Sequence, residues 1–256
     1  MIPVALPTVL AAVTGLLVGS FLNVCVHRLP LGRSIVFPGS HCPACGAPIA
    51  PYDNVPVLSW LYLRGHCRTC RAPISVRYPS IELANAILWV AAVRTAPSPA
   101  DAAAAAVLSS ACLVLVFVDL DWQILPDAVT LPLAAAGLGL SFFTHRISYR
   151  GSLLGIAAGA GGLLALAFVY EKATGREGMG MGDVKMLGAI GAFVGPRGVI
   201  VTVFFAALAG TLVGLAVLAR GGGLQTRLPF GVFLGVAAVG SYYWAAPLSG
   251  WYRGFF

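Results

Sequence analysis

Charge is what this chain has least of. Only 10% of its 256 residues are charged and nine are acidic, whereas a soluble domain carries about 25% charged residues. That scarcity excludes an ordinary soluble fold. Basic clusters interleaved with aromatics are also missing, so the net charge of +7 does not point to nucleic acid. It fits positive loops on one side of a membrane. There is no Rossmann-type glycine fingerprint, no low-complexity linker and no sequence repeat to be read.

What remains is apolar: 59% of the residues. Eight apolar segments are predicted, over 4–25, 80–97, 101–119, 127–144, 152–170, 184–195, 198–219 and 229–246. A membrane helix needs about 20 residues. The sixth segment is too short alone and ends at Gly195-Pro196, so a broken or tilted helix is expected there. The first has no basic start and no small-residue cleavage site, unlike a signal peptide. The expected fold is therefore an all-α polytopic membrane protein. It has about eight transmembrane helices and a small cytoplasmic zinc-binding loop domain. Three regions are predicted: 1–25 as the first transmembrane helix, 26–79 as the loop domain, and 80–256 as a seven-helix membrane domain. If the N-terminus is outside and all eight segments cross, eleven Lys and Arg residues face the cytoplasm and five face out. That bias favours this orientation, although Arg146 and Arg150 share one outer loop.

Two aspartates stand at segment edges on the predicted cytoplasmic side. Asp119 ends segment three and opens Asp119-Leu120-Asp121-Trp122-Gln123-Ile124-Leu125-Pro126-Asp127. Asp183 lies in Gly178-Met179-Gly180-Met181-Gly182-Asp183-Val184-Lys185, 64 positions on. A carboxylate near hydrocarbon costs about 2.5–3.5 kcal/mol on insertion scales, so it points to function. Two brought together can share a proton and activate water, the chemistry of an intramembrane aspartic protease. Gly180 and Gly182 leave room for an extended substrate backbone. Asp121 is the rival first acid but reads as interfacial, on another helix face. Asp127 reads as a cap of segment four. Lys185 either reaches the interface or serves a nearby acid or an anionic substrate group. Glu82 either stabilises a helix start or lines the active cavity. Glu171 and Glu177 read as solvated.

The loop carries His41-Cys42-Pro43-Ala44-Cys45-Gly46 and His66-Cys67-Arg68-Thr69-Cys70-Arg71. Two C-x-x-C pairs 21 residues apart aim four thiolates at one point, a closed structural zinc site. His41 and His66 are placed at its rim. Cys25 and Cys112, in apolar helices, read as buried small hydrophobes. Two non-protease readings stay open. A transporter would also use membrane acids and broken helices, and a zinc-bearing scaffold would need only the cysteines.

The chain resembles the bacterial type IV prepilin peptidases, the GxGD-type leader peptidase/N-methyltransferases. The resemblance rests on Gly19-Ser20-Phe21-Leu22-Asn23-Val24 with Arg28-Leu29-Pro30, and on both cysteine pairs. It continues through Pro73-Ile74-Ser75-Val76-Arg77-Tyr78-Pro79 with Glu82, then 119–127, Gly180–Lys185 and Pro229-Phe230-Gly231. It implies a bacterial inner-membrane enzyme that cleaves a short basic leader from type IV prepilins or type II secretion pseudopilins at the cytoplasmic face. It implies methylation of the new N-terminus from S-adenosylmethionine, with the 26–79 domain linked to methyl transfer. Its catalytic aspartates fall on Asp119 and Asp183. Arg71 stands where the family pattern has Gly.

Overall fold

A computed structural model describes residues 5–175, 178–221, 223 and 228–253, with side chains in the last helix described through Trp244. Arg176, Glu177 and Arg227, used above in the loop and charge readings, lie outside the described residues, as does the side chain of Arg253. The described chain is helical and holds two isolated β-bridges but no strand. It divides into two compact units, Met1–Ala96 and Pro97–Phe256.

The first unit is built on a hairpin of α1 (Ala5–Arg28) and α3 (Arg77–Thr95). Gly15 packs on Ala86 and Gly19 on Glu82, and the Asn23 amide donates to the Tyr78 carbonyl at 3.1 Å. The paired numbers fall on one helix as they rise on the other, so the two run antiparallel and the loop between them starts and ends on one side. A Cβ at Gly19 would sit 2.6 Å from the Glu82 Cα; glycine is what lets the backbones meet. Buried Asn85 is satisfied across the same contact, donating to the Gly15 carbonyl at 2.7 Å, as a polar group in an apolar contact must be.

The loop folds into two matching knuckles and a short helix α2 (Leu58–Tyr62). In the first knuckle Cys42 N–H donates to Ala47 and Gly46 N–H to Cys42, and His41 bridges Pro48. In the second, Cys67 N–H donates to Ala72 and Arg71 N–H to Cys67, and His66 bridges Pro73. The sequence underneath is a repeat, H-C-x-x-C-x-A-P-I, at 41–49 and 66–74. This corrects the expectation of no repeat: nine residues with three x positions escape a search for longer periods. Gly46 and Arg71 occupy equivalent left-handed positions, φ +70° and +59°. Arg71 therefore does a glycine's conformational task.

The second unit contains α4 (Pro99–Trp122), α5 (Asp127–Leu140), and α6 (Tyr149–Ile156). A π turn over Ala157–Gly161 leads into α7 (Gly162–Thr174), followed by α8 (Met181–Ala219) and α9 (Phe230–Arg253). Ser98 caps α4: its hydroxyl oxygen accepts the Asp101 N–H at 3.1 Å and its O–H donates to the Asp101 carboxylate at 2.6 Å. Pro99 follows at the first helical position, where its missing N–H costs nothing. Gly155 meets Gly191 and Gly159 meets Leu187, drawing α6 and the π turn onto α8. α8 breaks at Gly195, whose φ of 66° and ψ of −178° are not helical, just before Pro196. The expected break between segments six and seven is thus present.

Among the described residues, four helical stretches are long and apolar enough to cross a membrane: Ala5–Leu31, Pro99–Trp122, Tyr149–Thr174 and Met181–Ala219. Asp127–Leu140 and Phe230–Trp244 are apolar but shorter. An all-helical membrane architecture is therefore the observed class, with four candidate spans.

Candidate active site

The acids of the second unit are brought together by three chain segments. α4 ends at Trp122 because Gln123 turns left-handed, φ +53°, with its N–H bonded to the Asp119 carbonyl. That places Asp119 in the last turn, on the packed side of the helix and 5% exposed. Asp121 is on the exposed side. The buried carboxylate of Asp119 is not left alone. Its Oδ2 accepts the Val232 N–H at 3.1 Å, and Gly231 N–H also reaches the group. These are first-turn amides of α9, which lack the i−4 partner of the helix interior and favour negative charge; the Val232 N–H is shared with the Pro229 carbonyl at 3.3 Å. A Cβ at Gly231 would sit 2.9 Å from that oxygen, so only glycine lets the helix end come so close. Gly231 is the residue that sequence reasoning left without a role, although Pro229-Phe230-Gly231 was legible as a motif.

Asp183 is the third residue of α8, half-buried, its N–H bonded to the Gly180 carbonyl at 3.2 Å. Its carboxylate lies within electrostatic reach of Asp119. Two positions distant in sequence are thus near enough to feel each other's charge. Gly180 faces open space, its nearest neighbour being the Asp183 carboxylate. Gly182 has another use. A Cβ there would come 3.1 Å from Leu125, whose side chain also lies against Gly231. Leu125 therefore plugs the gap between the two glycines and ties the 123–127 link to both acid-holding helix starts.

Lys185 donates to both carboxylate oxygens of Asp127 at 2.8 Å. This settles its partner as Asp127. It also corrects the capping role given to Asp127: the cap position is Pro126, and Asp127 is the first helical residue with no capping bond. Glu82, in the first unit, accepts the Val57 N–H at 2.7 Å and a bond from Ser20. It holds the loop where Val57 adopts φ +61°, a conformation a β-branched residue resists.

The four loop cysteines converge. The Sγ atoms of Cys42, Cys45, Cys67 and Cys70 all lie within 4.8 Å of one another, with Cys42 and Cys70 at 3.8 Å. A tetrahedron of sulfurs about 2.3 Å from a zinc ion has edges of about 3.8 Å, so the donor set fits that ion. Backbone N–H groups of Cys70 and Thr69 pull the Cys67 thiol down to about 6. The Cys70 thiol accepts the Ala72 N–H, yet Cys45, burial and the other thiols together push it up to about 11. His41 and His66 stay outside the cluster, exposed, their rings bonded to the Gly39 and Arg64 carbonyls. Cys25 and Cys112 are buried, as expected.

Asp101 is a buried acid that the sequence reading passed over. Fully buried at the start of α4, it accepts the N–H groups of His145 and Arg146. Arg146 in turn donates to the Tyr242 carbonyl at 2.7 Å and lies over its ring. Asp101 sits at the other end of α4 from Asp119 and pins a turn. The capping sequence Ser98-Pro99-Ala100-Asp101 was the available signal.

The bacterial peptidase A24 N-terminal domain matches residues 13–96, and the type IV leader peptidase family matches residues 106–215. Among individual proteins, the chain is 36% identical over 262 residues to the prepilin leader peptidase/N-methyltransferase of Aeromonas hydrophila, covering 93% of this chain and 90% of that protein. It is 36% identical over 272 residues to the protein of that name from Burkholderia pseudomallei strain 1026b, covering 96% and 88%. It is 42% identical over 206 residues to the one from Myxococcus xanthus, covering 80% and 62%. No solved structure matches. The chain belongs to the type IV leader peptidase family.

Proposed function

We propose that this chain removes the leader peptide from type IV prepilins or related pseudopilins and methylates the new N-terminus. It is a prepilin leader peptidase and N-methyltransferase; neither the transporter nor the scaffold alternative is favoured. The observation that supports the chemistry is that Asp119 and Asp183, at the ends of two apolar helices, lie within electrostatic reach of each other. One carboxylate, ionised, takes a proton from water. The other, protonated, polarises the scissile carbonyl and then helps protonate the leaving amine. The coupled pair titrates as a unit, so neither role belongs to one residue alone. Gly180 leaves the approach to Asp183 open.

The remaining assignments follow from this reading. Asp119 and Asp183 face the cytoplasm of a bacterial inner membrane, crossed about eight times, with the two arms of α8 counted separately. Cys42, Cys45, Cys67 and Cys70 hold a structural zinc ion that fixes both knuckles, leaving no open coordination position. The 26–79 domain is linked to methyl transfer. S-adenosylmethionine supplies the methyl group when bound. In the first unit Asp53 is paired with Arg68 and Glu82 is engaged by Val57, so neither acid is assigned to that ligand.

Cleavage and methylation should be separable. Alignment of amine and methyl donor supplies much of a methyl transfer rate and needs no acid pair. Purified Asp183→Asn enzyme, given a pre-cleaved pilin peptide with a free amine and labelled S-adenosylmethionine, should methylate it at the wild-type rate. Loss of transfer in the folded variant would place both chemistries in one site.

A further inference from the structure

The cysteine domain carries an apolar face that its own fold does not use. In α2, Ser59 and Trp60 point inward: the Ser59 hydroxyl donates to the Tyr52 carbonyl and the Trp60 indole N–H to the Ile74 carbonyl, both at 3.0 Å. Leu58, Leu61 and Tyr62, at i, i+3 and i+4, point outward and are 65%, 59% and 77% exposed. The face continues beyond the helix. Arg68 lies with its guanidinium 5.6 Å from the Tyr52 ring and 5.7 Å from the Tyr62 ring, so the two tyrosines flank one cation. Leucines, tyrosines and a shared arginine form one surface.

We infer that this face rests on the anionic lipid surface of the membrane that α1 crosses. Three observations choose this occupant. First, the antiparallel α1–α3 hairpin delivers both ends of the domain to the same side, so the domain is held beside the bilayer. Second, residues 28–77 contain six arginines and a single acid, Asp53, which is itself bound by Arg68. That excess of positive charge is drawn to anionic headgroups and repels a basic peptide segment. Third, the side-chain types suit the headgroup boundary. Tyrosine puts its ring in the apolar layer and its hydroxyl in the wet one, and arginine does the same with stem and head. The inference rests on α1 crossing the bilayer and is independent of the protease chemistry.

The test uses the full chain in phosphatidylcholine vesicles, with and without phosphatidylglycerol. A benzophenone amino acid is placed at position 61, at position 10 in α1 as a lipid-facing reference, and at position 69 on the exposed second knuckle. After irradiation, adducts are identified by mass. Position 61 should give lipid adducts as position 10 does, increasing with phosphatidylglycerol and falling at high salt, while position 69 gives none. Adducts from position 61 to another part of the chain, or none while position 10 labels lipid, would overturn the inference. Unmodified protein supplies a second readout. Amides of 58–62 should exchange more slowly in vesicles containing phosphatidylglycerol than in those without, and equal rates would also overturn it.

Discussion

Gly155→Ala tests whether helix spacing sets the acid geometry. An ideal Cβ at Gly155 would lie 2.8 Å from the Gly191 carbonyl carbon and from the Gly195 Cα, and nearer still to the Gly191 oxygen. Ordinary contact begins at 3.4 Å, so α6 and α8 must part by at least 0.6 Å, and the neighbouring atoms are backbone that cannot rotate away. Overpacking of this kind costs about 1–3 kcal/mol. α8 also carries Asp183 at its start, and a displacement of about 1 Å can cost roughly 100-fold in rate. The expected loss in prepilin cleavage is therefore roughly ten- to 100-fold, with a lower unfolding temperature. Gly161→Ala is the matched control: nothing lies within 4 Å of its Cβ, and removing a helix-interior glycine stabilises by up to about 1 kcal/mol. Both variants would be assayed in detergent by gel shift of the processed pilin and by thermal unfolding. If Gly155→Ala behaved like Gly161→Ala in both assays, the close α6–α8 contact would not govern the site.

Two further outcomes concern the cysteine domain. Because Arg71 holds a left-handed conformation that costs a side-chain-bearing residue about 1–2 kcal/mol, Arg71→Gly should slow zinc loss to a chelator, and Gly46→Arg should hasten it; equal rates would contradict the equivalence of the two knuckles. Acid should act on the domain in two stages. Thiolates must be ionised to bind metal, so acid should release the zinc, measured by a chromogenic chelator, as the cysteine ligands are protonated. The Asp53–Arg68 pair should outlast it. Arg68 holds the Asp53 carboxyl below the usual carboxylate range, so the pair's contribution is present above about 3.9 and is lost only as pH falls through the lower folded value. Simultaneous loss of both would refute that order.

Much of this was legible because the chain is extreme. Scarce charge forces any acid at a helix edge into notice, which is how Asp119 and Asp183 stand out. The spacing of Cys42, Cys45, Cys67 and Cys70 needs no alignment to suggest one metal point. The break at Gly195-Pro196 follows from a proline that cannot donate. What could not be read was three-dimensional. Asp119 depends on amides of Gly231 and Val232, more than 100 positions away, and backbone donors leave no residue-type signature. The exchange of Asp127 from cap to partner of Lys185 likewise depends on where α5 and α8 begin relative to each other. Membrane crossings were the least accessible, since apolar length alone marks a segment such as 127–144 without fixing whether it traverses the bilayer.

The most direct measurement compares wild type with Asp119→Asn, Asp183→Asn and Asp121→Asn. Each folded, membrane-inserted protein is incubated with a purified prepilin and S-adenosylmethionine, and the N-terminus and mass of the product are read. Wild type and Asp121→Asn should yield a leaderless, singly methylated pilin, and the Asp119 and Asp183 variants should leave the leader in place, because an amide keeps the shape but cannot exchange the proton. Substantial cleavage by either of those two variants, or an inactive Asp121→Asn, would contradict the assignment of Asp119 and Asp183 as the hydrolytic pair.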